Sequence, residues 1–310
     1  MSQLIIERER YTDRDRLLKD RDVYILMLRG IVDNNSYLFS SAFPIDLPDY
    51  KNFKAKINNM KSQNLNFEQI SKQIESLVRE LSIDNKRKEV KMHSKINDNY
   101  VIPGSSIKGA IRSRIEYKFI PVNNKIKSCY RIEGDFFESQ AVNHRRFWGD
   151  EVIRNRGSCN GENNEVCIVC DMFGAPSLAS LVSISDAYLS NGGIERLPEF
   201  NNIEAIEPRS SFTTTIICRN FDYIRLGLLF LGLELYSNSP ILLGMYKYRF
   251  NPKLGKLFRD KYAFGLVRFN LINVTNLNNK QLNARKLLDV TNRELQDKYK
   301  GYIDWNKGVI

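Results

Sequence analysis

The stretch VIPGSSIKGAIRSRIEYK, residues 101–118, carries the strongest local signal of fold in this chain. Its Pro-Gly pair indicates a turn. Ser105 and Ser106 follow, and serine suits a helix N-cap because its hydroxyl oxygen can accept from an unsatisfied backbone N–H. Three isoleucines then recur at four-residue spacing, namely Ile107, Ile111 and Ile115. That spacing is typical of the buried stripe of a helix. The stretch therefore predicts a turn followed by an amphipathic helix.

The predicted helix also carries basic side chains at Lys108, Arg112 and Arg114. A Gly-Ser turn that opens a helix presents backbone N–H groups and the positive end of the helix dipole, which together favour an anion. Lys108 lies one turn into the helix, where its ammonium group could pair with a phosphate. The spacing differs from that of a nucleotide P-loop. The segment predicts either an anion site or an ordinary capped amphipathic helix.

The composition favours a folded protein with an anionic partner. The chain has 310 residues, 42% of them hydrophobic, and a formal net charge of 47 − 36 = +11. Such an excess is typical of proteins that bind nucleic acid or an anionic membrane, although a lysine-rich soluble protein shares it. Residues 1–16 lack the apolar core of a signal peptide. The most apolar run, 226–233, is far shorter than the ~20 residues that span a bilayer. We therefore expect a cytoplasmic protein without membrane contact.

Helix-like and strand-like patterns alternate along the chain. Strand-like runs lie at 22–32, 181–188, 211–219 and within 257–274. Helix-like spacing lies at 57–81 and 223–236. This order favours an α+β fold with a ferredoxin-like sheet over an all-α or all-β fold. The charged residues 1–21 predict a mobile N-terminal arm.

The segment at 101–118 closely resembles the motif IPGSSLKGalR of the RAMP superfamily, the repeat-associated proteins of type III CRISPR effector complexes. Seven of the eight positions from Ile102 to Gly109 match, and only Ile107 differs. The stretch 170–188 is similar to a second family segment through Phe173-Gly174, Ser180 and Asp186-Ala187. A third stretch, 226–255, resembles the family's helix and closing glycine-rich loop.

The resemblance implies a ferredoxin-like (RRM-like) palm with a β-hairpin thumb, in a subunit of Csm or Cmr type that lies along a CRISPR RNA. The expected RAMP domain covers 22–280, and a helical extension follows at 281–310. Within the domain we expect a helical insertion at 51–86, a zinc-bound loop at 140–172 and the thumb at 189–210.

By resemblance, the PGSS helix and the glycine-rich loop contact the backbone of the guide RNA. The residues predicted to contact RNA are Ser105, Ser106, Lys108, Arg112, Arg114, Arg209, Lys247 and Arg249. The loop departs from the family pattern, because LGMYKYR at 243–249 replaces its closely spaced glycines. Tyr246 or Tyr248 could stack on bases. Alternating tyrosines and basic residues are equally typical of a solvent-facing strand.

Three clustered cysteines predict a metal site. Cys159, Cys167 and Cys170 contain a CxxC pair, and His144 lies fifteen residues before the first of them. A Cys₃His set suits tetrahedral zinc, and several RAMP proteins carry a comparable site. We therefore predict structural Zn²⁺ on these four residues, with unligated thiols as the alternative. His93 is the other histidine, and Cys129 and Cys218 are interpreted as core residues.

A possible catalytic residue comes from the resemblance alone. Some RAMP subunits cut target RNA with an acidic residue after the first strand, in a motif resembling Ile45-Asp46-Leu47-Pro48. Asp46 would act with a divalent metal ion on the ribose 2′-hydroxyl. Asp49 and Asp98 are alternatives, and Asp46 could equally be a turn residue before proline.

The preferred hypothesis is an RNA-binding subunit of a type III CRISPR effector, with guide RNA, target RNA and other subunits as partners. One rival is a standalone endoribonuclease, which the scarcity of histidine and of paired carboxylates disfavours. Another is a zinc-stabilised scaffold that binds only proteins.

Overall fold

The computed structural model describes most of the chain. The described residues are 4–14, 23–45, 69, 71–72, 91–129, 142–149, 157–198, 203–278 and 280–310. Asp46 lies outside them, as do all residues of the predicted insertion at 51–86 except Gln69, Ser71 and Lys72.

Helices and strands alternate, which confirms the predicted α+β class. The α-helices are α1 (Gly104–Lys118), α2 (Val142–Trp148), α3 (Ile168–Phe173), α4 (Tyr223–Gly232) and α5 (Ala284–Lys298). The strands are β1 (Ile5–Ile6), β2 (Glu9–Arg10), β3 (Tyr24–Val32), β4 (Ser36–Tyr37), β5 (Ser41–Ile45), β6 (Lys91–His93), β7 (Lys95–Ile96), β8 (Asn99–Ile102), β9 (Lys125–Ile126), β10 (Glu165–Val166), β11 (Val182–Ile184), β12 (Ala187–Asn191), β13 (Ile194–Leu197), β14 (Ile203–Ile206), β15 (Ser211–Cys218), β16 (Ile241–Leu242), β17 (Ala263–Phe264) and β18 (Leu266–Asn276). No helix in the described part of the chain combines the length and apolar character needed to cross a membrane.

The largest sheet has the strand order β16-β18-β3-β15-β12-β8-β7, and β11 also pairs with β15. Its three long strands β18, β3 and β15 are antiparallel. Because side chains alternate along a strand, Leu26 and Leu28 of β3 enter the core while Met27 between them is 45% exposed. Ile107, Ile111 and Ile115 of α1 belong to the same core, which confirms the predicted buried stripe.

The predicted mobile arm is folded against the body over residues 4–14, contrary to the expectation. Ile5-Ile6 pairs in parallel with β9, and Glu9-Arg10 pairs with β10. Further on, the Arg14 guanidinium lies 2.7 Å from the Asp171 carboxylate. The prediction followed the charged residues of this segment, whereas the short apolar run Leu4-Ile5-Ile6 brings it to the body, and Leu4 is only 9% exposed.

The region of the predicted thumb, 189–210, contains an antiparallel pair of strands, with β13 hydrogen-bonded to β14. Leu197 and Ile203 from this pair pack with Tyr37, Phe39 and Phe264 in a second apolar cluster. The stretch between Arg131 and Asn164, which reads as a basic loop in the sequence, contains the helix α2.

Candidate functional site

The N-terminus of α1 is closed by a carboxylate from a distant part of the chain. The Gly104 N–H donates to Asp186 Oδ1 at 2.8 Å, which satisfies one of the N–H groups that a helix start leaves without an internal partner. The N-cap residue is Pro103, and no side-chain cap bond forms there. The predicted capping by Ser105 and Ser106 is therefore wrong, because both lie inside the first turn.

Gly104 brings α1 into close contact with the segment after β11. A Cβ added at Gly104 would lie 2.2 Å from the Ile184 carbonyl oxygen and 2.8 Å from that of Ser185. Both distances are shorter than van der Waals contact, so a larger residue cannot fit without moving the helix. The PGSS segment and the segment around Asp186 are thus two halves of one junction.

One edge of α1 remains open to solvent. Ser105 and Gly109 are exposed, and Lys108 is partly buried. A Cβ added at Gly109 would meet no atom within 4 Å. The Lys108 ammonium donates to the Val182 carbonyl at 2.9 Å, and since an ammonium carries three protons this bond leaves the group able to face an anion. This open edge, defined as Ser105, Lys108 and Gly109, offers small side chains beside a fixed positive charge.

Arg112 and Arg114 are buried, so the prediction that they contact RNA on the surface is not kept. The Arg112 guanidinium pairs with Glu116 at 2.7 Å and donates to the Gly174 carbonyl at 2.8 Å. The Arg114 guanidinium pairs with Glu234 at 2.9 Å and donates to the Gly308 carbonyl at 2.7 Å. Because α1 is buried on several sides, Arg112 and Arg114 are internal rather than surface cations.

The predicted glycine-rich loop is a compact turn rather than a strand. The N–H groups of Arg249 and Phe250 both donate to the Tyr246 carbonyl, at 2.8 and 3.1 Å. Tyr246 stacks on Phe39 with 5.8 Å between ring centroids. The predicted stacking of Tyr246 or Tyr248 on bases therefore competes with internal partners.

The remaining predicted cations differ in their surroundings. Arg249 and Arg209 are exposed, and Arg209 lies in the turn before β15 with a left-handed φ of 67°. The Lys247 side chain instead lies beside α1, where burial and the nearby Arg114 lower its pKa to about 8.

Four buried cysteines form the candidate metal centre. The sulfur atoms of Cys129, Cys159, Cys167 and Cys170 all lie within 4.8 Å of one another. The Cys129 and Cys170 sulfurs are 3.3 Å apart, and those of Cys167 and Cys129 are 3.7 Å apart. A tetrahedral zinc site with Zn–S bonds of about 2.3 Å has sulfur–sulfur edges of roughly 3.8 Å. The cluster has the donors and the dimensions to hold a metal ion such as zinc.

Hydrogen bonds to the sulfurs further fit this chemistry. The Cys167 N–H lies 3.3 Å from the Cys159 sulfur, and the Arg112 guanidinium lies 3.2 Å from the Cys170 sulfur. Hydrogen bonding among the thiols, with Cys129 the largest contributor, lowers the pKa of Cys159 and raises that of Cys167 well above its usual range. A bound cation would allow all four thiols to ionise together.

The fourth member of the cluster is Cys129, and His144 lies elsewhere. The His144 ring packs edge-on against Tyr117 and Tyr248, with centroids 5.1 and 4.9 Å away. His93 is also outside the cluster, and its Nδ1 accepts from the Ser40 N–H at 3.2 Å. The assignment of His144 as a ligand is therefore corrected to Cys129, which sequence spacing did not reveal because it lies thirty residues before Cys159.

Of the three candidate catalytic carboxylates, only Asp98 lies in the part of the chain that the structure describes. Asp46 and Asp49 lie outside the described ranges. Asp98 is exposed in the turn between β7 and β8, with a φ of 63°. Asp186, which sequence reasoning singled out without a role, is bound to the start of α1.

The architecture is that of an α+β protein whose motif helix α1 contacts, through Arg112, a cluster of four cysteines that could hold a metal ion. The family model for the RAMP superfamily matches residues 83–304, which is more than two thirds of the chain. The chain belongs to this superfamily, whose members are generally linked to CRISPR complexes and RNA binding. A search of curated proteins finds no match to the chain.

Proposed function

We propose that this chain is an RNA-binding subunit of a type III CRISPR effector complex. The observation that carries the proposal is the open edge of α1, which combines the family's PGSS-Lys-Gly motif with an accessible, cation-bearing surface. Guide RNA would run along Ser105, Lys108 and Gly109. Target RNA and neighbouring subunits of the complex are the further partners we propose, in the cytoplasm.

The chemistry of the open edge suits a phosphate backbone. Glycine in a helix interior costs about 1 kcal/mol relative to alanine, and no neighbour within the described chain demands it at Gly109. Absence of a side chain there lets a backbone approach the helix closely. Lys108 supplies a charge, and Ser105 a hydroxyl donor. Such contacts read no base edges, so binding should be largely independent of sequence.

The order of elements supports a ferredoxin-like palm. The succession β3, α1, β12, β15, α4 and β18 alternates strands and helices in a β-α-β-β-α-β pattern, and these strands lie side by side in the order β18-β3-β15-β12. That is the arrangement expected of the ferredoxin-like motif. The β13–β14 pair is our candidate for the thumb that separates bases of the bound RNA.

We propose Zn²⁺ as the metal of the four-cysteine cluster, with a structural role. Thiolates are soft ligands, and a closed set of four is typical of structural zinc. Because Arg112 of α1 bonds to the Cys170 sulfur, the metal would fix the helix from its interior side while RNA lies on its outer side.

Cleavage of target RNA by Asp46 with a divalent metal ion is retained as a separate proposal. It is supported only by resemblance of the Ile45–Pro48 segment to the family motif. In the assembled complex, Asp46→Ala should abolish cuts in a complementary RNA while leaving its binding intact. Persistence of every cut in that variant would exclude Asp46.

Purification of the native complex through a tag on this chain tests the function as a whole. We expect co-purified RNA that contains repeat-derived and spacer-derived sequence, together with other subunits of an effector. Recovery of partner proteins without RNA would instead support the protein-binding scaffold. Cutting of RNA by the isolated chain would support a standalone endoribonuclease.

A further inference from the structure

A cavity of about 140 Å³ lies between α1, α2 and the 243–250 turn. Its walls include Ser113 and Arg114 of α1, His144 of α2, and Lys247 and Tyr248 of the turn. The cavity is distinct from the open edge, because none of Ser105, Lys108 and Gly109 is among its described lining residues. It therefore collects cationic and hydroxyl groups from α1 and the turn, beside the imidazole of α2, in one small cavity.

The charges around this cavity do not balance. Glu234 is shared between Arg114, at 2.9 Å, and Lys118, at 3.0 Å, so two cations have one carboxylate. Lys247 forms no ion pair with any residue in the described ranges; its ammonium lies over the Tyr248 ring, 5.6 Å from the centroid. The described lining residues of the cavity include two cations, Arg114 and Lys247, and no carboxylate. An uncompensated charge in the interior is costly and favours a bound counter-ion.

The pKa values of the basic groups in and beside the cavity are lowered mainly by burial. Burial lowers the pKa of Arg114, of Lys118 and of Lys247, in spite of Glu234 beside the first two. Burial and then Lys247 lower the pKa of His144 to about 4, so its ring is neutral and adds no charge at neutral pH.

We propose that this cavity binds one phosphate monoester. A phosphate monoester carries a charge of about −1.5 to −2 at pH 7, which matches the two cations that line the cavity, whereas a backbone diester carries only one charge. Lys247 would supply the main contact, beside the Arg114 guanidinium that also lines the cavity. The Tyr248 hydroxyl accepts from Trp148 Nε1 at 2.8 Å, so its own proton is available to point at an oxyanion. The phosphate could be the end of an RNA strand or a mononucleotide, and only the RNA source rests on the proposed function.

Calorimetric titration of the full chain with inorganic phosphate tests the cavity without RNA. Lys247→Met should weaken phosphate binding at least about tenfold, as expected when a charged hydrogen-bond partner is removed. Lys247→Arg should largely retain it. Lys256→Met is the matched control, because Lys256 is exposed nearby in the chain, and it should change binding less than about twofold. Since Lys247→Met removes a cation without an ion-pair partner, the variant should fold at least as well as the parent.

A pair of RNAs of one sequence, with a 5′-phosphate or a 5′-hydroxyl end, identifies the source of the phosphate. If the 5′-phosphorylated RNA displaces inorganic phosphate better than the 5′-hydroxyl RNA does, the ligand is an RNA end. If only adenosine 5′-monophosphate displaces it, the ligand is a mononucleotide. Absence of phosphate binding, or equal binding by Lys247→Met and the parent, overturns the proposed site even if RNA binds elsewhere. The chain could instead bind phosphate through Lys247 and bind no RNA. That result would support the phosphate site and contradict the proposed function.

Discussion

Gly104 and Gly109 lie five residues apart in one helix, and they are glycine for opposite reasons. Gly104 is enclosed, because a Cβ would lie 2.2 Å from the Ile184 carbonyl oxygen. Gly109 faces open space within the described structure. None of the described residues requires glycine at Gly109, whereas the requirement at Gly104 comes from its own packing.

Alanine substitutions separate these two roles. Gly104→Ala should lower the free energy of unfolding by about 1–3 kcal/mol, as overpacking does. Gly109→Ala should raise it by up to about 1 kcal/mol, because alanine favours the helix, yet weaken RNA binding. Urea denaturation and RNA titration of both variants measure this. A Gly109→Ala chain that binds RNA as tightly as the parent would show that nothing approaches the helix there.

Cys129 and His144 give a second contrast at the residue scale. Metal analysis of purified protein should find about one zinc per chain, and Cys129→Ala should lose most of it, since removing one of four ligands leaves an incomplete site. His144→Ala is the control and should retain the metal. Zinc retained by Cys129→Ala and lost from His144→Ala would reverse the assignment made from the geometry.

At the scale of elements, α1 is fixed on one side by an internal charge cluster. Glu234, which follows α4, pairs with both Arg114 and Lys118, and each of these three side chains is at most 2% exposed. Loss of the carboxylate would leave two buried cations without their partner. The cluster thus sets the position of α1 relative to α4, and the open edge of α1 depends on it.

Glu234→Gln should lower the free energy of unfolding by about 3–5 kcal/mol, the usual cost of breaking a buried ion pair on one side. Glu294→Gln, at an exposed position of α5, should change it by less than about 0.5 kcal/mol. Thermal and chemical unfolding of the two variants provides the comparison. Similar stabilities would mean that the cluster contributes little to holding α1.

Several features of α1 could be predicted from sequence, and others could not. The isoleucine spacing correctly predicted the helix and its buried stripe. The burial of Arg112 and Arg114 was hidden, because helical periodicity does not show how many neighbours surround a helix. Asp186 and Cys129 were missed for a related reason: each meets its partners across long stretches of sequence, and local patterns carry no signal of such contacts.

At the scale of the whole molecule, a buried histidine makes stability depend on pH. His93 is 1% exposed, and burial lowers its pKa to about 4 from an ordinary value of 6.5. A folded-state pKa below the unfolded value means that stability is fully present above pH 6.5 and is lost as the pH falls towards 4. This difference between the two pKa values corresponds to a loss of about 3 kcal/mol in the free energy of unfolding at the acidic end of that range.

Unfolding by urea at pH 7 and at pH 4.5 should therefore show a lower free energy of unfolding under acidic conditions. His93→Gln should reduce this difference, and His144, whose pKa burial also lowers to about 4, accounts for part of what remains. If the parent and His93→Gln lose the same free energy of unfolding on acidification, groups other than His93 cause the acid sensitivity.

The central claim is that the open edge of α1 binds the RNA backbone, and the salt dependence of RNA affinity tests it most directly. Lys108→Gln keeps a donor for the Val182 carbonyl while removing the charge. The control is Arg285→Ala, at an exposed position of α5. For single-stranded RNA of any sequence, Lys108→Gln should weaken binding and reduce the slope of log affinity against log salt by about 0.7, the value for one phosphate contact. The control should leave both unchanged. An affinity and slope in Lys108→Gln equal to those of the parent would contradict the claim.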